Sequence, residues 1–173
     1  MVGLIAVALL LQPVSGAERA FFVVALALGL ASDVFLMLPQ DLFLMGLLAA
    51  LIEHLAYVAG FRARDFQVAP FAVATVIALA SSAVFLPSIL RAVRKNQPKL
   101  FVPVIAYAVV FVIMVVSAGG TGSLVALSGA LLFFYSDALL AWNRFVKPLA
   151  WGRLVNIVAY HTGEALLVLS LVT

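Results

Sequence analysis

The chain has no cysteine, so disulfides, thiolate metal centres and cysteine nucleophiles are excluded before any other residue is weighed. Charge is scarce as well. Asp, Glu, Lys and Arg make up 10% of the 173 residues, against about a quarter in soluble domains. There is no G-x-S-x-G elbow, H-E-x-x-H pair or P-loop, which removes support for serine hydrolase, zincin and nucleotide-driven chemistry. No basic stripe is interleaved with aromatics, so nucleic acid is not an expected partner.

What fills the chain instead is apolar: 66% of residues, with a mean hydropathy of +1.26. A soluble core cannot absorb that excess, whereas lipid can, since a spanning helix needs roughly 20 mostly apolar residues. Seven apolar segments stand out, at about 1–17, 19–38, 41–60, 67–90, 100–118, 121–142 and 149–172. The expected fold is all-α, a polytopic transmembrane helix bundle of about seven spans, with residues 1–173 as a single domain. The first segment is interrupted by Pro13, and Ser15-Gly16-Ala17 has the small residues of a cleavage site. It is expected to be an uncleaved helix, short or tilted.

The joints between segments are tight and carry turn or charge signals, so neighbouring helices alternate in direction. Loops at one side hold Arg19, Arg62 and Arg64. Those at the other hold Arg91, Arg94, Lys95, Lys99, Arg144 and Lys147, with Arg153 close by. Positive charge marks the cytoplasmic side. The loops after helices two, four and six are therefore expected to be cytoplasmic, in a bacterial inner membrane.

Four of the seven acidic residues, Asp33, Glu53, Asp137 and Glu164, fall within apolar segments, as do His54 and His161. A charged carboxylate at mid-membrane costs about 3 kcal/mol or more, so such groups face the bundle interior and are functional candidates by default. Away from water a carboxyl favours its neutral form, which is the form a proton donor needs. Helices two and six run in the same direction, and Asp33 and Asp137 each lie about five residues before the segment end, about 8 Å below one boundary. Ala25, Gly29 and Asp33 share a stripe of small residues that marks close helix contact. Gly46, Ala50, Glu53, His54 and Tyr57 share a face of helix three, and Asn156, Tyr160, Gly163 and Glu164 a face of helix seven. Two acids at matched depth read as a functional pair. Tyr57, Tyr107 and Tyr160 read as structural hydrogen-bonders or supports of a site, and His54 as a core group or a proton relay. Glu53 and Glu164 can hydrogen-bond a neighbouring helix when protonated. Arg144 and Lys147 suit a lipid phosphate, or simply the positive-inside signal.

The run Gly29-Leu30-Ala31-Ser32-Asp33-Val34-Phe35-Leu36, followed by Met45-Gly46-Leu47, His54-Leu55-Ala56-Tyr57 and Phe61, resembles the first signature of the YhhN-like lysoplasmalogenase membrane proteins. Gly129-Ala130-Leu131-Leu132-Phe133 with Ser136-Asp137 and residues 141–145 is similar to the second. Tyr107 before Met114, and Tyr160 before Leu166, fit the same order over about residues 19–172. Family members usually have eight spans, Gly where this chain has Ser32, and Gln where it has Glu164.

The resemblance implies hydrolysis of the vinyl ether bond of a lysoplasmalogen, a lysophospholipid, to fatty aldehyde and glycerophosphoethanolamine or glycerophosphocholine. Such a bond is cleaved by protonation at carbon and attack of water on the oxocarbenium ion, so two carboxyls suffice, as in glycosidases. Asp33 and Asp137 are the expected catalytic pair. His54, Tyr57, Tyr107, Tyr160, Glu164, Asn143, Arg144 and Lys147 would support the site or bind substrate, and neither metal nor cofactor is called for. Two rivals stay open: a proton-coupled carrier relaying protons through intramembrane carboxyls and His54, and a metal-dependent lipid hydrolase using His54, His161 and the acids.

Overall fold

A computed structural model describes residues 1–13 and 15–173. Among the described residues every regular element is helical: α1 Val2–Leu10, α2 Gly16–Met37, α3 Phe43–Phe61, α4 Val68–Asn96, α5 Phe101–Gly120, α6 Leu124–Ala141 and α7 Gly152–Leu169. Six of them, α2 to α7, are long and apolar enough to cross a membrane. The first is not. Its nine residues rise about 13 Å, under half of a hydrocarbon core of about 30 Å. The chain leaves the helix ahead of Pro13, and Ser15 then caps α2 by accepting a hydrogen bond from the Glu18 amide at 3.3 Å. Ser15-Gly16-Ala17 is thus the start of α2.

The helices close into a ring. Around it α2 packs on α3, α3 on α5, α5 on α6 and α6 on α7, while α1 lies against both α7 and α2 and completes the circuit. Helix α4 sits outside, against α5. Side chains on the outer surface are apolar and uncovered, such as Val76, Val84, Val102 and Val158, as lipid-facing residues should be. The interior holds Phe22, Tyr57, Phe61, Phe111, Met114, Phe133 and Leu167.

Small residues set the closest approaches. A Cβ on Gly129 of α6 would lie 2.9 Å from the Gly163 carbonyl oxygen, and a Cβ on Gly163 of α7 would lie 2.9 Å from the Gly129 carbonyl oxygen. Glycine at both positions lets the two backbones touch.

The two ends of the bundle are tied differently. At one end the buried Glu18 carboxylate of α2 takes a hydrogen bond from Arg64 Nε at 2.7 Å, and the same guanidinium donates to the carbonyls of Thr173, at 2.9 Å, and Ser170. At the other, Arg144 pairs with Asp41 at 2.9 Å, linking the loop after α6 to the loop after α2. These loops therefore share one end of the bundle, as the alternating direction of the helices predicts. Helix α6 leaves its span through a π-helical turn, Trp142–Val146, closed by the Lys147 amide on the Trp142 carbonyl at 3.1 Å.

Candidate functional site

Each Ser-Asp pair sits where two helices meet. Ser32 donates to the Gly46 carbonyl of α3 at 3.0 Å, locking α2 to α3. The Ser136 carbonyl accepts from Asn156 Nδ2 of α7 at 2.7 Å, locking α6 to α7, and its hydroxyl donates to Phe133 O at 2.8 Å and Asp137 Oδ1 at 3.3 Å. The serine thus fixes the backbone, and the half-buried aspartate beside it is turned to the ring interior.

There each aspartate meets a tyrosine from a different helix. Tyr160 of α7 donates to Asp33 Oδ2 at 3.3 Å, and Tyr107 of α5 donates to Asp137 Oδ2. A third pair lies deeper, where Tyr57 of α3 donates to Glu164 Oε2 of α7 at 2.6 Å. Glu53 faces Glu164 within hydrogen-bonding reach and lies in the electrostatic field of both Asp33 and Asp137. Four carboxyls from α2, α3, α6 and α7 therefore share one interior, with three phenols among them. Among the described residues no Lys or Arg side chain enters it.

His54 is fully buried beside this cluster. Its Nδ1–H donates to the Ala50 carbonyl one turn back. The ring is boxed by Phe111, Phe133 and Tyr107, with centroids at 4.1, 4.9 and 5.1 Å, and Nε2 has no partner among the described residues. His161 points outward and is exposed. Among the described residues no three His, Asp or Glu side chains converge as a metal-holding group.

The remaining candidates lie at the cation-rich end. Arg144 is engaged by Asp41 and stacks on Phe43 at 3.9 Å. Asn143 accepts from the Leu149 amide at 3.0 Å and packs on Gly152, so its amide shapes the loop into α7. Lys147 is exposed. Nearby, a cleft of about 330 Å³ is lined by Ser88, Arg91, Lys95, Asn96, Phe145 and Val146. Spacing along single helices left Arg91 and Lys95 as mere topology signals, because only the packing of α4 on the π turn of α6 makes the cleft.

Known proteins resemble this chain in sequence. The chain is 30% identical over 149 residues to Lysoplasmalogenase TMEM86B of Homo sapiens, and to the Mus musculus protein of the same name at the same identity. It is 33% identical over 150 residues to that of Sus scrofa. In each case 84% of this chain is aligned and 61% of the relative, so the chain spans under two thirds of the length of these relatives. No solved structure matches it. The sequence model of the YhhN family matches residues 1–171, and with six apolar helices of spanning length around a ring of carboxyls, the chain is an integral membrane protein belonging to the YhhN family.

Proposed function

We propose that this protein hydrolyses the vinyl ether bond of lysoplasmalogens, releasing a fatty aldehyde and glycerophosphoethanolamine or glycerophosphocholine. The observation that carries the proposal is the pairing of Asp33 and Asp137, each with its own tyrosine donor, inside a ring that no Lys or Arg side chain of the described residues enters. Relatives named lysoplasmalogenase support the substrate class.

Asp33 and Asp137 divide two roles. One gives its proton to the terminal carbon of the C=C–O unit, whose π electrons form the new C–H bond and leave an oxocarbenium ion. The other, as carboxylate, steadies that cation and takes a proton from the water that attacks it. The hemiacetal then collapses: its hydroxyl proton passes to the first aspartate, now a carboxylate, while the second returns its proton to the departing glycerol oxygen, giving aldehyde and a free glycerol hydroxyl and restoring both carboxyls. Tyr160 and Tyr107 orient the two carboxyls. Tyr57, His54 and Glu164 support them from the middle of the bundle, and the alkenyl chain lies among the helices.

The head group faces the cation-rich end, which is cytoplasmic in a bacterial inner membrane, by the positive-inside rule. Its phosphate meets Lys147 and the cleft that holds Arg91 and Lys95, with Arg144 at the rim.

The test is aldehyde release from lysoplasmenyl-ethanolamine and lysoplasmenyl-choline by detergent-purified protein. Asp33→Asn and Asp137→Asn are each expected to lower kcat by about 10²- to 10⁴-fold, with EDTA leaving the wild-type rate unchanged. No release from folded, monodisperse wild type removes the substrate assignment. Loss on chelation supports the metal-dependent hydrolase in its place.

A further inference from the structure

At the cation-rich end of the bundle one ion pair is left half open. Both carboxylate oxygens of Asp41 accept from a single nitrogen of Arg144, Nη2, at 2.9 and 3.2 Å. The N–H groups on Nε and Nη1 of that guanidinium lie outside the pair, and so do the remaining lone pairs of the carboxylate. Both partners are nevertheless fixed in place. Asp41 takes a left-handed backbone, φ 49°, in the loop from α2 to α3, and the guanidinium lies over Phe43 at 3.9 Å and Phe145 at 5.7 Å. Those two rings meet edge to face at 5.5 Å, and Phe145 also lines the cleft that holds Arg91 and Lys95. The pair therefore borders the cleft.

An exposed ion pair adds little stability, and a left-handed backbone at a residue other than glycine works against it, so folding alone does not account for the arrangement. Of the seven acidic residues, Asp41 is the one exposed at this end. The cations beside it answer a phosphate of any kind, whereas an acid answers only a positive charge. We propose that Asp41 selects head groups that carry an amine. The phosphate of an ethanolamine or choline lysophospholipid takes the N–H groups of Arg144 that the ion pair leaves over, and its ammonium settles against the Asp41 carboxylate. Both charges of the zwitterion then meet their opposites, and the Asp41–Arg144 bond is kept. A phosphate head group without an amine meets the same cations but brings nothing to Asp41. The assignment rests on the lysophospholipid substrate proposed above, and it adds the one acid to a head-group site otherwise built of cations.

The experiment uses Asp41→Asn, because asparagine has the shape of aspartate and tolerates the same left-handed backbone, so that the charge alone is removed. In aldehyde release, kcat/KM for lysoplasmenyl-ethanolamine relative to lysoplasmenyl-glycerol, which has no amine, is expected to fall about 10-fold through KM, with kcat unmoved. Binding is read apart from chemistry with alkyl-ether lysophosphocholine and alkyl-ether lysophosphoglycerol, which have no vinyl ether to cleave. Trp142 and Trp151, the two tryptophans of the chain, flank the loop, and their fluorescence reports Kd. The choline lipid should bind Asp41→Asn about 10-fold more weakly than wild type, and the glycerol lipid should not. An equal change for both head groups, or no change for either, makes the pair a surface tie and overturns the inference. Wild type that releases no aldehyde yet prefers the choline lipid through Asp41 fails the vinyl ether hydrolase and leaves the head-group site standing.

Discussion

Tyr57 shows how much a single hydroxyl does in a ring that no Lys or Arg side chain of the described residues enters. Its bond to Glu164 at 2.6 Å is the one donor from a phenol that reaches this buried carboxyl. Tyr57→Phe keeps the ring packing on Phe22, 4.8 Å away, and removes the donor alone. An unsatisfied buried acceptor costs about 1–3 kcal/mol, so thermal unfolding in detergent should fall accordingly, and an unchanged melting temperature would show that Glu164 finds another donor. Most residues of this cluster were legible from intramembrane acids and polar faces, because ionisable groups in apolar segments are too costly to scatter at random. Glu53 was legible as a polar group, but its approach to Glu164 of α7 was not. Spacing reports which side of its own helix a residue occupies and is silent on what stands opposite.

At the scale of elements, the α6–α7 contact depends on Gly129 and Gly163. A methyl at Gly163 meets backbone atoms of α6, which cannot rotate away as a side chain would. Gly163→Ala is expected to cost about 1–3 kcal/mol through overpacking, read as a lowered melting temperature. It should lower kcat as well, since Tyr160 and Glu164 ride on the same helix. Asn143 behaves differently. Its amide organises the loop into α7, so Asn143→Ala should reduce thermal stability while leaving KM for lysoplasmenyl-ethanolamine near wild type; a KM change larger than the stability change would place Asn143 at the head group instead. Gly163 was visible in the sequence as part of the polar face of α7, beside Tyr160 and Glu164. The loop role of Asn143 was not, because it depends on the π turn that carries its side chain back over Gly152.

For the whole molecule, the Glu18–Arg64 pair is the tie at the cation-poor end, with both side chains buried and joined at 2.7 Å. Arg64→Met strands the Glu18 carboxylate and should destabilise the protein by about 3–5 kcal/mol, with part of the loss recovered when Glu18→Gln is added. The exposed Asp41–Arg144 pair at the other end should matter far less, under about 1 kcal/mol for Asp41→Asn. Orientation is open to direct labelling because the chain has no native cysteine. In right-side-out vesicles an impermeant thiol reagent should label Asp65→Cys and spare Asn96→Cys and Lys147→Cys; the reverse pattern would invert the topology.

Apolar segments of spanning length, the joints between them and the cations at their ends determined by themselves that the chain is a helical membrane protein and which loops share a face. Those properties are local: a run of residues either can or cannot lie in lipid. The sequence also marked Asp33 and Asp137 by matched depth, since depth follows from residue count along a helix. Tertiary structure decided the rest. Only the closed ring, with α1 between α7 and α2, turns four acids on four helices toward one interior, pairs each aspartate with a tyrosine from another helix, takes Arg144 into an ion pair and leaves Glu53 Oε1 without a hydrogen-bond partner among the described residues. Rotation of each helix about its axis, and the identity of its neighbours, are set by packing between segments far apart in the chain, and no local pattern records them.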